Sequence, residues 1–568
     1  MDDRPYTSSI VHRPSSIVIM LPSLHLTKLL VNQPSITDSA DETSYAEFLG
    51  GVMASQTAFA GSADGIRAMR TLRDDHERYN LFGLARKSGR KTIALCGHYD
   101  VVSVENYGAL QALAFDTEKL LPALISQLEK EPQTAEVALA LKDLKSGDYL
   151  PGRGALDMKS GLAIGLDVAN RFAASSGAGN LLFVATPDEE NASHGMRSAV
   201  EHLAQLGAEW NLDIVAAINL DASVNRGEDT TGRAVFLGTV SKLLVSALFI
   251  GKPTHAGAPF DGLSANLLAA EFVRACEVNP LLADMGGGEP APAPITLKMT
   301  DLKEHYDVTT PAMSWVALNM LSHTRTPAQV MALATRTAHH AMAQALAGAR
   351  SRARRYATAR DGGRRAGGLH QNEQFDWQPR VMTFAELVEY TRRARGEAAL
   401  QAWRDEVATL RGDFPSRCKT ATEKLARLSG VEGPCAVVGI ASLYYPATHL
   451  GDGDAAFREA IDREVTRMSA ETGDPIYTRG YFEGVSDMSF IGCEDSPENA
   501  KIVMDNTPIW NSGLFFDYEL AAKRRIPIVN IGPWGRDYHQ RAERAHIPYS
   551  FGVVPELVFR IVQRVLGE

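Results

Sequence analysis

Cysteine is scarce in this chain, with 5 residues among 568, and the five are far apart. No CxxC pair occurs, so the sequence offers neither a zinc knuckle nor a dithiol redox motif. Scattered, unpaired cysteines are typical of proteins from reducing compartments, where disulfides are rare. We therefore expect free thiols and a cytoplasmic location.

Long apolar stretches are also missing. No run approaches the roughly 18 consecutive apolar residues that a membrane-spanning helix needs. The apolar residues 17–21 stop at Pro22 with no small-residue cleavage site behind them, so we expect no signal peptide. The sequence thus predicts a protein without a membrane partner.

An excess of basic residues is the third missing feature. The 58 Lys and Arg are outnumbered by 68 Asp and Glu, which gives a net charge of −10. A phosphate backbone repels such a chain, so we expect no nucleic-acid partner. What is present is ordinary globular composition, 45% hydrophobic and 22% charged, in a chain long enough for several domains.

Three short apolar runs each end in polar residues. The run 92–96 leads to His98 and Asp100, the run 181–186 to Glu189 and Glu190, and the run 214–220 to Asp221. Helical patterns lie between them. This order is typical of an α/β sheet whose functional site lies at the carboxyl ends of the strands.

The order of patterns along the chain predicts four segments. Residues 1–22 are polar and contain proline, which indicates an N-terminal extension. Residues 23–225 carry the three runs and form the first part of a catalytic domain. Residues 226–385 follow a βαββα order, which indicates an inserted α+β lid domain of the ferredoxin-like kind. Residues 386–568 combine a helical insert with the second part of the catalytic domain.

The polar residues at the ends of the runs are imidazole and carboxylate groups, which suit zinc and similar divalent ions. Asp157 joins them from a glycine-rich loop, 152–161, whose spacing differs from that of a phosphate-binding P-loop. His98 and Asp100 point the same way on an extended strand end, so one can bind a metal while the other orients it. Taken alone, His98 is more often a hydrogen-bonded core histidine; the nearby carboxylates favour the metal site.

Glu189 and Glu190 are adjacent and therefore point in different directions from a turn. One can bind a metal while the other acts as general base toward a metal-activated water. An acidic pair can equally mark a solvated helix N-terminus, where the helix dipole favours negative charge. The pair alone leaves both interpretations open.

Taken together, the motifs resemble those of metallopeptidase family M20, the di-zinc carboxypeptidases, aminoacylases and deacetylases. The matching segments are 98–100, 152–161, 188–190, Asp221, 251–259 and 532–548. Their order and spacing agree with the family over nearly the whole chain after residue 25. The length, residues 104–108 and the helical insert are most similar to the arginine-utilisation proteins of that family.

The resemblance implies a mixed-sheet, di-zinc exopeptidase-like catalytic domain with two divalent metal ions, zinc first and cobalt or manganese as alternatives. Asp157 would bridge both metals. His98 and Asp221 would complete one metal site, and Glu190 and His546 the other. All five positions match the family motifs in this sequence.

The resemblance also implies the catalytic roles. Asp100 would orient His98, and Glu189 would be the general base. His255, in the segment 251–259, would stabilise the oxyanion, often from the partner subunit of a homodimer.

Two positions depart from a simple match. His539 offers a second histidine near His546 and has Glu543 four positions on, but the residues after His546 match the family spacing to the last helix, so we prefer His546. Where family members commonly place a carboxylate-binding Arg on a lid strand, this chain has Leu321. Arg325 is a candidate substrate-binding substitute, although a structural arginine at a strand end explains it as well.

We therefore expect a hydrolase that cleaves an amide bond of a small peptide or N-acyl amino acid. The alternative is a catalytically silent relative that binds an amino acid or peptide in a regulatory role. Metal content together with turnover of acyl amino acids distinguishes the two.

Overall fold

The computed structural model describes residues 21–60, 65–224, 233–361 and 377–567. Residues 1–20 of the predicted extension lie outside these ranges. The described strands are β1 Ile66–Arg70, β2 Tyr79–Arg86, β3 Lys91–His98, β4 Tyr149–Pro151, β5 Asn180–Thr186, β6 Asp213–Asn219, β7 Ser223–Val224, β8 Arg233–Phe236, β9 Gly238–Thr239, β10 Ser241–Ile250, β11 Met285–Gly286, β12 Glu289–Pro290, β13 Ile295–Asp301, β14 Met313–Ser322, β15 Arg380–Thr383, β16 Cys435–Ile440, β17 Thr448–His449, β18 Ile476–Arg479, β19 Ile528–Asn530, β20 Trp534–Arg536 and β21 Arg544–His546.

The described helices follow the same chain order. They are α1 Pro22–Val31, α2 Ala40–Ala54, α3 Thr117–Leu128, α4 Ala135–Ser146, α5 Lys159–Ala174, α6 His194–Glu209, α7 Ala265–Cys276, α8 Pro327–Asp361, α9 Phe384–Arg395, α10 Glu397–Ala408, α11 Phe414–Ser429, α12 Ala455–Thr472, α13 Met488–Ile491, α14 Pro497–Asn506, α15 Tyr518–Lys523 and α16 Val554–Leu566. Among the described residues, no helix is both long and apolar enough to cross a lipid bilayer.

An eight-stranded mixed sheet, in the order β1-β2-β5-β3-β6-β19-β8-β18, forms the larger part of the fold. Its central strands β5, β3 and β6 are parallel neighbours. Side chains of β5 alternate between two cores: Leu182 and Val184 pack in the core that includes α6, and Leu181 and Phe183 in the core that includes α5 and α16. Helices therefore cover both faces, which explains why these strands read as continuous apolar runs.

A second, five-stranded sheet has the order β13-β14-β10-β16-β15. Its neighbours are antiparallel except for the parallel pair β15 and β16. Leu268 and Phe272 of α7 and Val330 of α8 pack in the same core as Val245 of β10. The predicted class, a mixed-sheet α/β fold with an inserted α+β part, is confirmed in these described ranges.

The two sheets divide the chain differently from the sequence-based segments. A boundary at residue 385 separates β15 from β16, whereas the structure pairs them in one sheet. Strand β8, placed in the lid segment by the boundary at 226, pairs with β18 and β19 of the large sheet. We therefore propose that the inserted domain spans 241–440, because these residues supply all five strands of the smaller sheet.

Candidate metal centre

Three neighbouring strands of the large sheet end at one edge. In the parallel register His98, the last residue of β3, lies opposite Thr186, the last residue of β5, and Cys96 lies opposite Asn219, the last residue of β6. The segments that follow these strands therefore begin side by side, as ligand-binding loops do in α/β sheets. They carry Asp100, Glu189, Glu190 and Asp221.

The buried His98 ring is held by the residue two positions on. Its Nδ1 lies 3.0 Å from the carbonyl oxygen of Asp100 and 3.4 Å from the Asp100 carboxylate. An Nδ1–H that donates there leaves the lone pair of Nε2 available for a metal. Nε2 lies 3.2 Å from Oδ1 of Asp157 and 4.0 Å from Oδ1 of Asp221. These three residues form one group of potential metal ligands.

Asp100 also fixes the loop that follows β5. Its Oδ1 accepts a hydrogen bond from the backbone N–H of Glu189 at 3.0 Å, and its Oδ2 accepts one from that of Glu190 at 3.2 Å. The hydroxyl of Thr37 donates to the same Oδ2 at 2.9 Å. Asp100 therefore sets the position of the imidazole of His98, mainly through its carbonyl oxygen, and of the two glutamates through its carboxylate.

A second group consists of Asp157, Glu190 and His539. Nε2 of His539 lies 3.0 Å from Oε1 of Glu190 and 3.2 Å from Oδ2 of Asp157. The two carboxylate oxygens of Asp157 thus face two different imidazoles, Oδ1 toward His98 and Oδ2 toward His539. Asp157 belongs to both groups, which is the arrangement of a ligand shared by two ions.

The structure places His539, and not the sequence-preferred His546, beside Asp157 and Glu190, so we propose His539 as the ligand of this group. His546 ends β21, which pairs antiparallel with β4. Its ring lies 5.1 Å from Tyr149 and 5.3 Å from Trp534, centroid to centroid, and its Nδ1 accepts from the Tyr549 N–H at 3.4 Å. In the described ranges, His546 belongs to none of the ligand groups. The turn before β21 carries His539 to the site instead.

Glu543 holds the loop that presents Asp157. This carboxylate is fully buried, and its Oε1 accepts from the backbone N–H groups of Gly154 at 2.9 Å, Leu156 at 3.2 Å and Asp157 at 3.3 Å. Its Oε2 pairs with the buried guanidinium of Arg153. The glycine-rich loop therefore has a charged anchor from the far end of the chain, which keeps the Asp157 backbone in place.

The centre holds an excess of negative charge. Burial raises the pKa of Glu189 well above its usual range, and repulsion from Asp487 and Glu190 adds to this. Burial and repulsion from Asp157 raise the pKa of Asp221 to about 7. Burial alone would lower the pKa of His98, but the surrounding carboxylates reverse this effect and hold it well above its usual value. Carboxylates crowded in this way favour a bound cation.

The ligand atoms fit two divalent ions. Around a tetrahedral zinc ion with bonds of about 2.0–2.1 Å, neighbouring ligand atoms lie about 3.3 Å apart. The nitrogen–oxygen separations within the two groups run from 3.0 to 4.0 Å. Imidazole and carboxylate ligands suit zinc, cobalt and manganese. His98, Asp157 and Asp221 would hold one ion, and Asp157, Glu190 and His539 the other.

A cavity of 340 Å³ opens at this centre. Its lining combines the ligands with residues from the inserted domain and the segment after β18: Asp157, Glu189, Glu190, Asn191, Asp221, Ala222, Lys242, Tyr445, Phe482, Gly484, Val485, Tyr538 and His539. Glu189 Oε2 lies 3.9 Å from His98 Nε2, so this glutamate borders the first ligand group. Glu189 also forms a third potential ligand group with His98 and Glu190, so its carboxylate faces the same space as the other two groups.

Sequence reasoning missed several residues around the centre. Lys242, at the start of β10, lines the cavity, and burial lowers its pKa while attraction to Glu189 partly opposes this. Asp487 lies behind the site, where burial raises its pKa to about 7 and the Thr186 hydroxyl donates to it at 3.4 Å. Neither residue has a local motif, because each reaches the centre through tertiary packing.

Arg78 forms buried ion pairs next to the loop that carries Asp188 and Glu189. Its buried guanidinium lies 2.8 Å from Asp74, 2.9 Å from Asp188 and 3.2 Å from Glu42. Asp188 adopts a φ of 67° and also accepts from both the backbone N–H, at 2.9 Å, and Nδ1, at 2.6 Å, of His194. The residue directly before Glu189 is therefore fixed in a strained conformation by a buried ion-pair network.

Two predicted site residues lie away from the cavity. His255 is exposed and its Nδ1 accepts from the Gly257 N–H at 3.0 Å. Arg325 donates to the carbonyl oxygens of Leu282 and, at 2.9 Å, Ala283, and lies 3.5 Å from Asp284. These contacts hold the guanidinium of Arg325 against a turn of the inserted domain.

Comparisons with known proteins identify the family of this chain. The sequence profile described as "Peptidase family M20/M25/M40" matches residues 128–506. The chain is 29% identical over 553 residues to the uncharacterized protein YqjN of Bacillus subtilis, covering 96% of each chain. It is 26% identical over 540 residues to protein RocB of the same organism, covering 94% of this chain and 93% of RocB.

A solved structure shows the same fold. The M20 family metallo-carboxypeptidase Sso-CP2 from Sulfolobus solfataricus superposes with a TM-score of 0.50 at 12% identity, over 96% of this chain and 99% of that one. The profile match covers more than half of the chain, so the family inferred from the motifs is confirmed. This chain is therefore a hydrolase that belongs to peptidase family M20/M25/M40.

Proposed function

We propose that the protein hydrolyses an amide bond of a small peptide or N-acyl amino acid with the help of two divalent metal ions. The observation that carries this proposal is the position of Asp157, whose two carboxylate oxygens lie 3.2 Å from Nε2 of His98 and 3.2 Å from Nε2 of His539. A carboxylate shared in this way between two ligand groups suits a pair of ions about 3.5–4 Å apart.

The ligand roles follow from the two groups. His98 and Asp221 would hold one ion, Glu190 and His539 the other, with Asp157 common to both. Zinc is the ion we propose, because it accepts this mixture of imidazole and carboxylate ligands in four-coordinate geometry. Bound there, the ion pair would lower the pKa of a water molecule and polarise the scissile carbonyl group.

Glu189 is the proposed general base. It lines the cavity outside the two groups that contain Asp157, while forming a third potential group with His98 and Glu190, and its backbone N–H donates to Asp100 at 3.0 Å. In that position its carboxylate can remove the proton of the attacking water and later deliver it to the leaving amine. Asp100 acts as a positioning residue, because it holds the ring of His98 and the Glu189 backbone together.

His255 enters this proposal through a homodimer. It is exposed and absent from the lining of the cavity. Strand β13, at the edge of the smaller sheet, exposes Leu297 by 60% and Met299 by 43%. An exposed apolar edge strand favours pairing with another chain. In such a dimer, His255 of the partner subunit would stabilise the oxyanion.

Mixed dimers test the contribution from the partner. E189Q and H255A would each be inactive alone, but a heterodimer of the two has one site with an intact glutamate and an intact partner histidine. Random reassociation of equal amounts would therefore restore about a quarter of wild-type activity, as expected when oligomers have isologous interfaces. No recovery, together with a monomeric mass in solution, would reject the shared site.

The proposed location is the cytoplasm. Cys96, Cys276, Cys418, Cys435 and Cys493 are all buried as free thiols. Unpaired buried thiols suit a reducing compartment. Fractionation of the source cells, with the protein followed by antibody, tests this.

The main experiment is a substrate panel of dipeptides and N-acylated amino acids, run with zinc-loaded and chelated protein. We expect two metal ions per chain and turnover of at least one amide only in the loaded form. The adjacent glutamates provide a matched pair: E189Q should keep both ions and lose hydrolysis, whereas E190Q should lose an ion. Two bound ions with no turnover across the panel would contradict the proposed hydrolysis.

A further inference from the structure

One lysine lies in the cavity among the carboxylates. Lys242 lines the same 340 Å³ space as Asp157, Glu189 and Asp221. Apart from it, no Lys or Arg among the described residues lines this space. It comes from β10 of the smaller sheet, whereas the three carboxylates come from the large-sheet part of the chain. The cavity is therefore bordered by the two parts of the fold, one anionic and the other carrying an ammonium group.

The backbone of Lys242 is fixed firmly. Its N–H donates to the carbonyl oxygen of Tyr445 at 2.9 Å, and its own carbonyl oxygen accepts from the Tyr445 N–H at 3.2 Å. On the other side it pairs directly with Leu321 of β14. Strand β14 on one side and the isolated bridge to Tyr445 on the other therefore hold the Lys242 backbone, which fixes the point from which its side chain leaves toward the cavity.

The ammonium group has no anionic partner among the described residues. Nζ lies over the ring of Tyr445, 5.5 Å from its centroid, and no carboxylate of the described ranges lies within salt-bridge distance of it. The Tyr445 hydroxyl is in turn 3.2 Å from Oγ of Ser193. A partly buried ammonium without a counter-ion is costly, and an anionic ligand in the cavity removes that cost.

We propose that Lys242 binds a carboxylate of the substrate and so determines specificity for amides that carry a negative charge beside the scissile bond. This inference rests on the proposed amide hydrolysis. It assigns the anion-binding role to β10, across the sheet from Leu321, rather than to Arg325, whose guanidinium is engaged by Leu282 and Ala283.

The size of the cavity limits where that carboxylate lies. A sphere of 340 Å³ is about 9 Å across, at the lower end of small-molecule sites. A carboxylate at Lys242 and an amide carbonyl at the metal ligands must both fit in this space. The substrate carboxylate therefore lies within one residue of the scissile bond, and the neighbouring Phe482 and Val485 contact the rest of the molecule.

The test compares the best substrate of the panel with its carboxamide, in which the charge is removed and the shape is kept. For wild-type protein we expect kcat/KM to fall roughly 10–100-fold from acid to carboxamide, mainly through KM, because a hydrogen bond to a charged group is lost. K242M should lower the acid to carboxamide ratio toward one, and K242R should restore most of it. K130M, at an exposed lysine, is the matched control.

Three outcomes overturn the proposal. The first is wild-type protein that cleaves acid and carboxamide equally well, and the second is K242M that keeps the preference for the acid. The third is K242M that loses metal ions and both activities together, because that result gives Lys242 a role in balancing the charge of the metal centre instead. Metal content and melting temperature of each variant are measured to recognise the third case.

A binding measurement separates this inference from the proposed hydrolysis. Calorimetry of zinc-loaded E189Q with an N-acetyl amino acid and with its carboxamide needs no turnover. We expect tighter binding of the acid and loss of that difference in the E189Q/K242M double variant. If the panel shows no hydrolysis, the proposed function fails while this comparison still decides the role of Lys242: equal binding of acid and carboxamide would reject it.

Discussion

Replacing Glu543 by alanine is predicted to loosen the loop that carries Asp157. Glu543 lies near the end of the chain, yet it accepts hydrogen bonds from three backbone N–H groups of the loop and pairs with Arg153. All of these groups are buried or nearly so. The substitution leaves a guanidinium without a counter-ion and three donors without an acceptor.

The magnitude follows from those contacts. Removing one partner of a buried ion pair costs about 3–5 kcal/mol of the free energy of unfolding. The N–H groups add to this, but water that enters the vacated space offsets part of their loss. Glu543→Gln keeps an oxygen for the N–H groups and loses only the charge toward Arg153, so we expect about 1.5–3 kcal/mol. The predicted order of stability is wild type, then Gln, then Ala.

The assay is thermal unfolding of the chelated proteins. For a domain of this size, the Ala variant should melt roughly 6–20 °C below wild type. Glu519→Ala, which breaks an exposed pair with Lys523, is the control and should cost at most about 1 kcal/mol. Zinc affinity of the Ala variant should also fall, by roughly 10–100-fold, because the loop no longer holds Asp157. An Ala variant that melts with wild type and binds zinc normally would refute the anchoring role.

Other residues give equally specific predictions. H539A should bind one zinc ion fewer than wild type, whereas H546A should keep both; elemental analysis distinguishes this from the reverse result. R78M should lower the free energy of unfolding by about 3–5 kcal/mol, because Asp188 and its acidic neighbours lose their buried cation; chemical denaturation showing less than about 1 kcal/mol would contradict this. Burial lowers the pKa of His202 from 6.5 to about 4. As the pH falls, the imidazole of His202 is protonated near pH 6.5 in the unfolded chain but only near pH 4 in the folded protein. The free energy of unfolding therefore decreases as the pH drops from 6.5 to 4, by at most about 3 kcal/mol. H202Q should show a flatter stability profile between these pH values, and an unchanged profile would contradict the assignment.

The parts of the site that could be predicted are those encoded by neighbours in sequence. His98 ends an apolar strand and Asp100 follows it, and Glu189 and Glu190 follow another within a few residues. Parallel strands bring their carboxyl ends to one edge, so a pattern of local motifs was enough to predict a cluster. The α/β class followed from the same strand and helix order.

The choice between His539 and His546 lies beyond such local patterns. It depends on the pairing of β21 with β20 and β4, which orients His546 against Tyr149 and Trp534. These strands have three residues each. Strands that short carry too little alternation for their register to be read from sequence.

The extent of the inserted domain shows a similar limit. Strand β16 follows three helices in the chain, and its residues alone do not indicate whether it pairs in the large or the small sheet. Pairing with β10 and β15 settles this. Helix α8 extends to Asp361 through a segment rich in alanine and arginine, which are both strong helix formers.

Lys242 and Arg78 illustrate the third limit. Each is an ordinary basic residue in sequence, and only tertiary packing brings one into the cavity and the other behind the acidic loop. The sequence alone does not single out such residues. Runs and spacings of charged residues indicate exposed faces of helices and loops, but they do not show which basic residue will be buried beside an acidic one.

The central claim is that Asp157 is shared by two metal ions. Anomalous diffraction from crystals of zinc-loaded protein, recorded on both sides of the zinc absorption edge, tests it directly. The account predicts two peaks, each within about 2.0–2.2 Å of a different carboxylate oxygen of Asp157, with His98 bound to one and His539 to the other. A single peak, or a second peak bound to His546 instead of His539, would contradict it.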